Sequence, residues 1–125
     1  MLETQNYTLH EDDLRQFTGS EYWFRHPAFN KFCYTDGVQY VAEYGGAYWL
    51  IDKIFACQSC VKKLADESFL SWELIRSQDG EGARLVCTDG NYNLLYSENI
   101  LFTDFPLQSI KFYFINNTLL LPSEY

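Results

Sequence analysis

The spacing of apolar positions changes near the middle of the chain. In the first half, Val38, Val41 and Ala42 share a helical face. After Gly45-Gly46 a longer stripe runs through Ala47, Leu50, Ile51, Ile54, Cys57, Val61, Leu64 and Ala65. These steps of three and four predict a helix over about residues 47–63, either continuous with the segment before it or kinked at the glycines. An earlier helix is expected over about 10–17. Thr8-Leu9-His10-Glu11 reads as its capping box, the acids at 11–13 suit its positive end, and Gly19 ends it. Between these helices, Tyr22 to His26, stopped by Pro27, and Phe32 to Tyr34, closed by Thr35-Asp36-Gly37, read as short extended pieces.

From Leu70 onward the period becomes two. Leu70, Trp72 and Leu74 alternate with polar residues, as do Ala83, Leu85 and Cys87, with a turn at Asp79–Gly82 between them. Asp89-Gly90-Asn91 is a second turn. A strand is predicted from Leu94 to Phe102 and is closed by Thr103-Asp104-Phe105-Pro106. Ile110, Phe112 and Phe114 line one face of the next strand. Asn116-Asn117 suits a two-residue hairpin loop because Asn tolerates positive φ, and Leu119–Leu121 returns. Helices followed by strands with short turns predict an α+β domain spanning 1–125. Its two layers would be N-terminal helices packed on a C-terminal antiparallel meander of four to five strands.

Composition sharpens one part of this picture. Of 125 residues, 23 are aromatic, and twelve of those fall between Phe17 and Phe55, where no single period accounts for them. Aromatic rings supply large buried area, and Tyr and Trp add a polar handle. Tyr22, Trp23, Tyr48 and Trp49 therefore either fill the core or form a surface for a ligand or partner. The hydrophobic fraction of 47% with 21% charged residues fits a globular domain. No apolar run approaches the roughly 18 residues of a membrane span, and the first ten residues lack the basic-then-apolar pattern of a secretory signal. The expected setting is the cytoplasm, with no membrane partner.

The net charge is −8, from 17 acids and 9 bases. The acids are spread evenly, and only Lys62-Lys63 pairs two bases, so no nucleic-acid partner is expected. Solubility explains the charge most simply. An acidic DNA mimic is the sharper alternative, although Glu11-Asp12-Asp13 is the only acidic run.

Catalytic signals are sparse. Phosphate-loop, dinucleotide-glycine, zinc-protease and nucleophile-elbow motifs are missing. Cys57-Gln58-Ser59-Cys60 is a lone C-x-x-C. Zinc needs four ligands, and a redox pair needs its first thiol at a helix N-terminus, whereas this pair falls late in a helix. It reads as two structural thiols, and neither a metal nor a cofactor is expected. The three Thr-Asp pairs, at 35–36, 88–89 and 103–104, read as turn chemistry. His26, beside Arg25 and within the aromatic stretch, is the better acid–base candidate of the two histidines, with Asp36 or Asp52 as an orienting carboxylate.

Phe17-Thr18-Gly19-Ser20-Glu21, Arg25-His26, Tyr34-Thr35-Asp36-Gly37-Val38, Gly46 to Asp52, Thr103 to Pro106 and Leu121-Pro122-Ser123-Glu124-Tyr125 are strings specific in combination. Together they resemble a domain-of-unknown-function family of small bacterial proteins over residues 14–125. The resemblance implies a bacterial, single-domain, cytoplasmic protein and brings no catalytic residue with it. That family is encoded on chromosomes and plasmids.

The leading expectation is a non-enzymatic interaction or accessory protein, tied to mobile elements or host defence. It would act through Arg25, Tyr22, Trp23, Tyr48 and Trp49 on a protein partner or on a second copy as a homodimer. The alternative is a small enzyme or ligand-binding domain built on Arg25 and His26 with Asp36 or Asp52.

Overall fold

The computed structural model describes residues 9–19 and 21–125. Seven strands form one sheet: β1 (Trp23–Arg25), β2 (Cys33–Thr35), β3 (Leu70–Arg76), β4 (Ala83–Asp89), β5 (Leu94–Ile100), β6 (Ser109–Ile115) and β7 (Thr118–Leu120). Their spatial order is β1-β2-β7-β6-β3-β4-β5. The helices are α1 (Asp36–Gly45), α2 (Tyr48–Cys60) and the short α3 (Lys62–Ala65). The α+β expectation holds, and β3-β4-β5 is the antiparallel meander that alternation predicts.

The sheet is larger than four to five strands, and it is mixed. β6 crosses back to the free side of β3, and β7 follows it through Asn116 and Asn117, both at the positive φ a tight hairpin needs. The β1-β2 hairpin then fills the open side of β7. There β2 runs parallel to β7, with Cys33 opposite Thr118 and Tyr34 opposite Leu119. Two three-residue segments cannot bury their backbone groups alone, so they take their partners from the far end of the chain.

The helix boundaries also differ from expectation. Gly46 adopts φ +62 and breaks the apolar stripe into α1 and α2, so the glycine pair acts as a kink. Gly45 has a different reason to be small: a Cβ there would lie 2.8 Å from the Phe105 ring. Val61 leaves helical geometry, so α2 stops at Cys60 instead of running to 63. The N-terminal helix is a 3-10 helix over Glu11–Gln16 that starts after His10, where the Asp13 carboxylate accepts the His10 N–H at 2.9 Å. Thr8, the expected cap, lies outside the described residues. β5 ends at Ile100, two residues before the expected Phe102.

The core lies between α1, α2 and one face of the sheet. Phe55 of α2 contacts Phe32, Tyr34 and Phe114. Trp72 of β3 is fully buried and donates its indole N–H to Gln58 at 2.9 Å. Lys53 reaches Glu98 of β5 at 2.8 Å. The opposite face carries Ser71, Glu73, Val86, Lys111, Tyr113 and Ile115, none of them fully buried. Among the described residues, no helix is long and apolar enough to cross a membrane.

Candidate functional site

His26 and Asp52 meet. Pro27 ends β1, and the chain turns back through residues 27–32 to enter β2. The His26 ring organises that turn: Nδ1 accepts the backbone N–H of Ala28 at 3.0 Å and of Phe29 at 3.1 Å. Nε2 lies 2.6 Å from the Asp52 carboxylate, on the first turns of α2. Phe29 and the edge of Phe55 pack against the ring. The side chain of His26 is 10% exposed and that of Asp52 is 62% exposed. An acceptor at Nδ1 leaves the neutral ring's proton on Nε2, donated to Asp52. Both nitrogens are thus engaged, and the histidine ties the β1-β2 turn to α2.

Long-range proton–nitrogen correlation should find neutral His26 as the Nε2–H tautomer. Asp52→Asn, which keeps an acceptor, should change stability by less than ~1 kcal/mol because this carboxylate is mostly solvated. An Nδ1–H tautomer would contradict this geometry.

Tyr34 lies beside Asp52, and Tyr48 stands one helical turn before it in α2. Burial, then the Asp52 charge, pushes the Tyr34 hydroxyl up from its ordinary value. Burial and a 2.9 Å hydrogen bond to Glu43 push Tyr48 up to about 12. Both are therefore donors at neutral pH. Arg25 points its guanidinium back to the carbonyl of Asn30 at 2.5 Å.

Asp36 is elsewhere. Thr35 caps α1, accepting the Val38 N–H at 3.3 Å, so Thr35-Asp36-Gly37 starts a helix and does not form a turn. Buried Glu124 closes on this helix start. It accepts the Thr35 hydroxyl at 2.7 Å, the Leu121 N–H at 2.8 Å and the Gly37 N–H at 3.2 Å. Burial is the main cause that raises its carboxyl above the ordinary value; neighbouring Asp36 adds to this, and the donated bonds oppose it. At the other Thr-Asp pairs, Asp89 fixes a turn through the Asn91 and Asn93 N–H groups. At 103–104 it is the Thr103 hydroxyl, not Asp104, that accepts the Phe105 N–H.

The four aromatic candidates divide. Trp49 is half-buried against the core, whereas Tyr22, Trp23 and Tyr48 are exposed by 64%, 57% and 40%. Trp23 sits opposite Thr35 in the sheet register. It forms one wall of a cleft of about 310 Å3 on the face away from α2, with Ile115, Thr118 and Leu120 nearby and Glu124 and Tyr125 completing it. Tyr125 in turn packs at a tilt against Phe69 and edge-on against Tyr113.

The cysteines do not pair. Cys57 is buried and Cys60 exposed, both as free thiols. Burial raises Cys57, and pushes Cys87 up to about 12. Among the described residues, no group of three His, Cys, Asp or Glu side chains is placed to hold a metal ion.

The meeting of Thr35-Asp36-Gly37 with Glu124-Tyr125 joins two distinctive strings that lie 89 positions apart. A sequence profile described as "Family of unknown function (DUF6876)" matches residues 8–125 and so includes both. The chain belongs to the DUF6876 family. No curated protein and no solved structure matches it. In this DUF6876 protein, sequence reasoning singled out Trp23 but missed Glu124 and Tyr125 as its neighbours. The one available signal was an acid between Pro122 and the terminal Tyr125, in a segment too short for any period.

Proposed function

We propose that this protein acts by binding another protein, with the Trp23–Tyr125 cleft as its contact, and not by catalysis. The observation that carries this reading is the cleft itself. Its two aromatic walls stand 57% and 78% exposed over a floor containing Ile115 and Leu120. Trp and Tyr dominate the energetics of protein interfaces because each buries a large area at small entropic cost. A space of about 310 Å3 suits one or two inserted apolar side chains. The bonds from Thr35 and Leu121 to Glu124 tie a lining residue of the cleft to the segment that carries Tyr125, and such preorganisation lowers the ordering cost of binding.

A second reading is a small enzyme or ligand-binding domain, favoured by the 2.6 Å His26–Asp52 contact. The two backbone bonds on Nδ1 weigh against it, since a general base needs a nitrogen free for its substrate. The acidic-mimic reading gains little: Glu98, Asp89 and Glu124 are each committed to bonds within the fold.

The test is quantitative affinity capture from cells that encode the protein, comparing the natural sequence with Trp23→Ala and Tyr125→Ala. Both side chains are exposed, so the variants should fold. A protein recovered by the natural sequence and depleted at least about tenfold with both variants supports the cleft. Recovery that neither substitution alters counts against it.

A further inference from the structure

We infer that β5 is a self-association edge, pairing antiparallel with β5 of a second copy of this chain. This inference is independent of the cleft, which lies toward the other end of the sheet.

The sheet has two edges, and they differ. β1 is three residues long, which limits what it can template; β5 is seven residues long. A long edge presents a row of unpaired backbone N–H and C=O groups, and proteins usually blunt it with Lys, Pro or brevity. Residues 91–103 contain no Lys, Arg or Pro. Their one charged side chain, Glu98, turns toward the helices and is bound by Lys53 and Tyr96 at 2.8 and 2.7 Å. The pairing irregularity with β4 is confined to the start of β5, so Tyr96–Ile100 is a regular ladder with a free outer side.

Apolar side chains gather at both ends of this edge. Of nine exposed large hydrophobic residues among the described ones, Tyr92 and Leu94 stand at its start, and Leu101 and Phe102 just past its end. Their exposures are 88%, 54%, 91% and 73%. Tyr92 is held outward at φ +66, an uncommon conformation for a bulky residue, by a turn fixed through Asp89.

Two arguments select a second copy as the occupant. The first is self-complementarity: antiparallel pairing about a two-fold axis near Ser97 sets Tyr92 of one copy opposite Phe102 of the other, at both ends of the ribbon. The second is charge. Copies of a chain with net charge −8 repel one another, whereas 91–103 brings only one charge to the edge, and that one is paired with Lys53.

Sedimentation equilibrium at rising concentration, combined with amide exchange, tests the pairing. The mass should rise from 14.7 kDa toward twice that value. Amides of residues 94–100 should gain protection with concentration. The double variant Leu101→Lys with Phe102→Lys, both at exposed positions, should keep its circular dichroism and associate at least about tenfold more weakly, because it removes the apolar contacts with the partner copy at both ends of the ribbon and puts in their place the solvated lysines that guard natural edge strands. A monomer at every concentration would overturn the inference, as it would if the edge served a different protein. A dimer that the double variant leaves intact, with β5 amides unprotected, would overturn it equally.

Discussion

Replacing Glu124 with Ala should cost about 3 kcal/mol of stability, among the largest losses available outside the apolar core. The Thr35 hydroxyl and the N–H groups of Gly37 and Leu121 all end on this carboxylate, which is only 8% exposed. Removing it leaves the Thr35 hydroxyl and the Leu121 N–H without their acceptor where water has little access, and leaves the Gly37 N–H only the Asp36 carboxylate at 3.1 Å. For a domain of this size the loss should appear as a melting temperature roughly 10 °C lower. Gly37 provides the cross-check. A Cβ there would stand 2.7 Å from the carboxylate, so Gly37→Ala should cost ~1–3 kcal/mol by crowding alone. In the Glu124→Ala background most of that cost should vanish, giving a large coupling in a double-mutant cycle. Additive losses would contradict the contact.

Glu124 also sets a pH dependence. Its folded carboxyl binds a proton more tightly than the ordinary value of 4.5, mainly through burial. Its contribution is therefore fully present below that value and is lost as pH rises through the raised folded value. Glu98 has the opposite sign: the bond from Lys53, then that from Tyr96, lowers its carboxyl. Its contribution is present above the ordinary carboxylate value and lost as pH falls through the lowered one. In Glu124→Gln, the decline in stability just above pH 4.5 should flatten, while the loss at more acid pH from Glu98 should persist. Denaturant melts across pH 3–7 read both limbs, and an unchanged upper limb would contradict the assignment to Glu124.

Phe55→Ala should be more damaging still, by ~3–5 kcal/mol. Phe55 is fully buried, and its ring touches His26, Phe32, Tyr34 and Phe114 at centroid distances of 5.5, 5.2, 6.5 and 6.2 Å. It joins α2 to the β1-β2 turn, to β2 and to β6. The cavity would open at the junction of three elements, none of which can collapse into it independently. Denaturant unfolding should show a lower midpoint with little change in slope. Phe55→Leu should recover about half of the loss. A cost below ~1.5 kcal/mol for Phe55→Ala would mean that the aromatic cluster does not hold the layers together.

These two sites mark where the sequence was legible and where it was not. The strands from Leu70 onward were readable because one buried face imposes a period of two on adjacent residues, and the Asn116-Asn117 turn carries its own backbone chemistry. Phe55 was not picked out by the helical stripe; it closes the aromatic stretch that no single period explains, and its place in the core follows from contacts with Phe32 and Phe114. The β1-β2 hairpin was visible as two short extended pieces, but not as part of the sheet. Its pairing with β7 joins Cys33 to Thr118, and nothing local records a partner that distant. The same distance hid Glu124 from Thr35, separated by 89 positions. Thr35-Asp36-Gly37 was misread as a turn for a related reason. Helix caps and turns use the same residues, and only the direction of the following chain separates them. His26 was chosen for its chemistry with Asp36 or Asp52 as its carboxylate, and the fold brings Asp52 to it; the backbone bonds that occupy Nδ1 depend on a loop conformation that the sequence does not display. Of the aromatic residues weighed as surface, Trp49 went to the core side because it falls on the buried flank of α2, while Trp23 lies on a short edge strand whose outward face stays in solvent.

Covalent footprinting of Trp23 and Tyr125, in the purified protein and inside cells that encode it, tests the interaction reading most directly. Both side chains should be readily modified in the purified protein and strongly protected in the cell, while Tyr48, exposed away from the cleft, should react alike in both. Equal modification of Trp23 and Tyr125 in the two settings would contradict it.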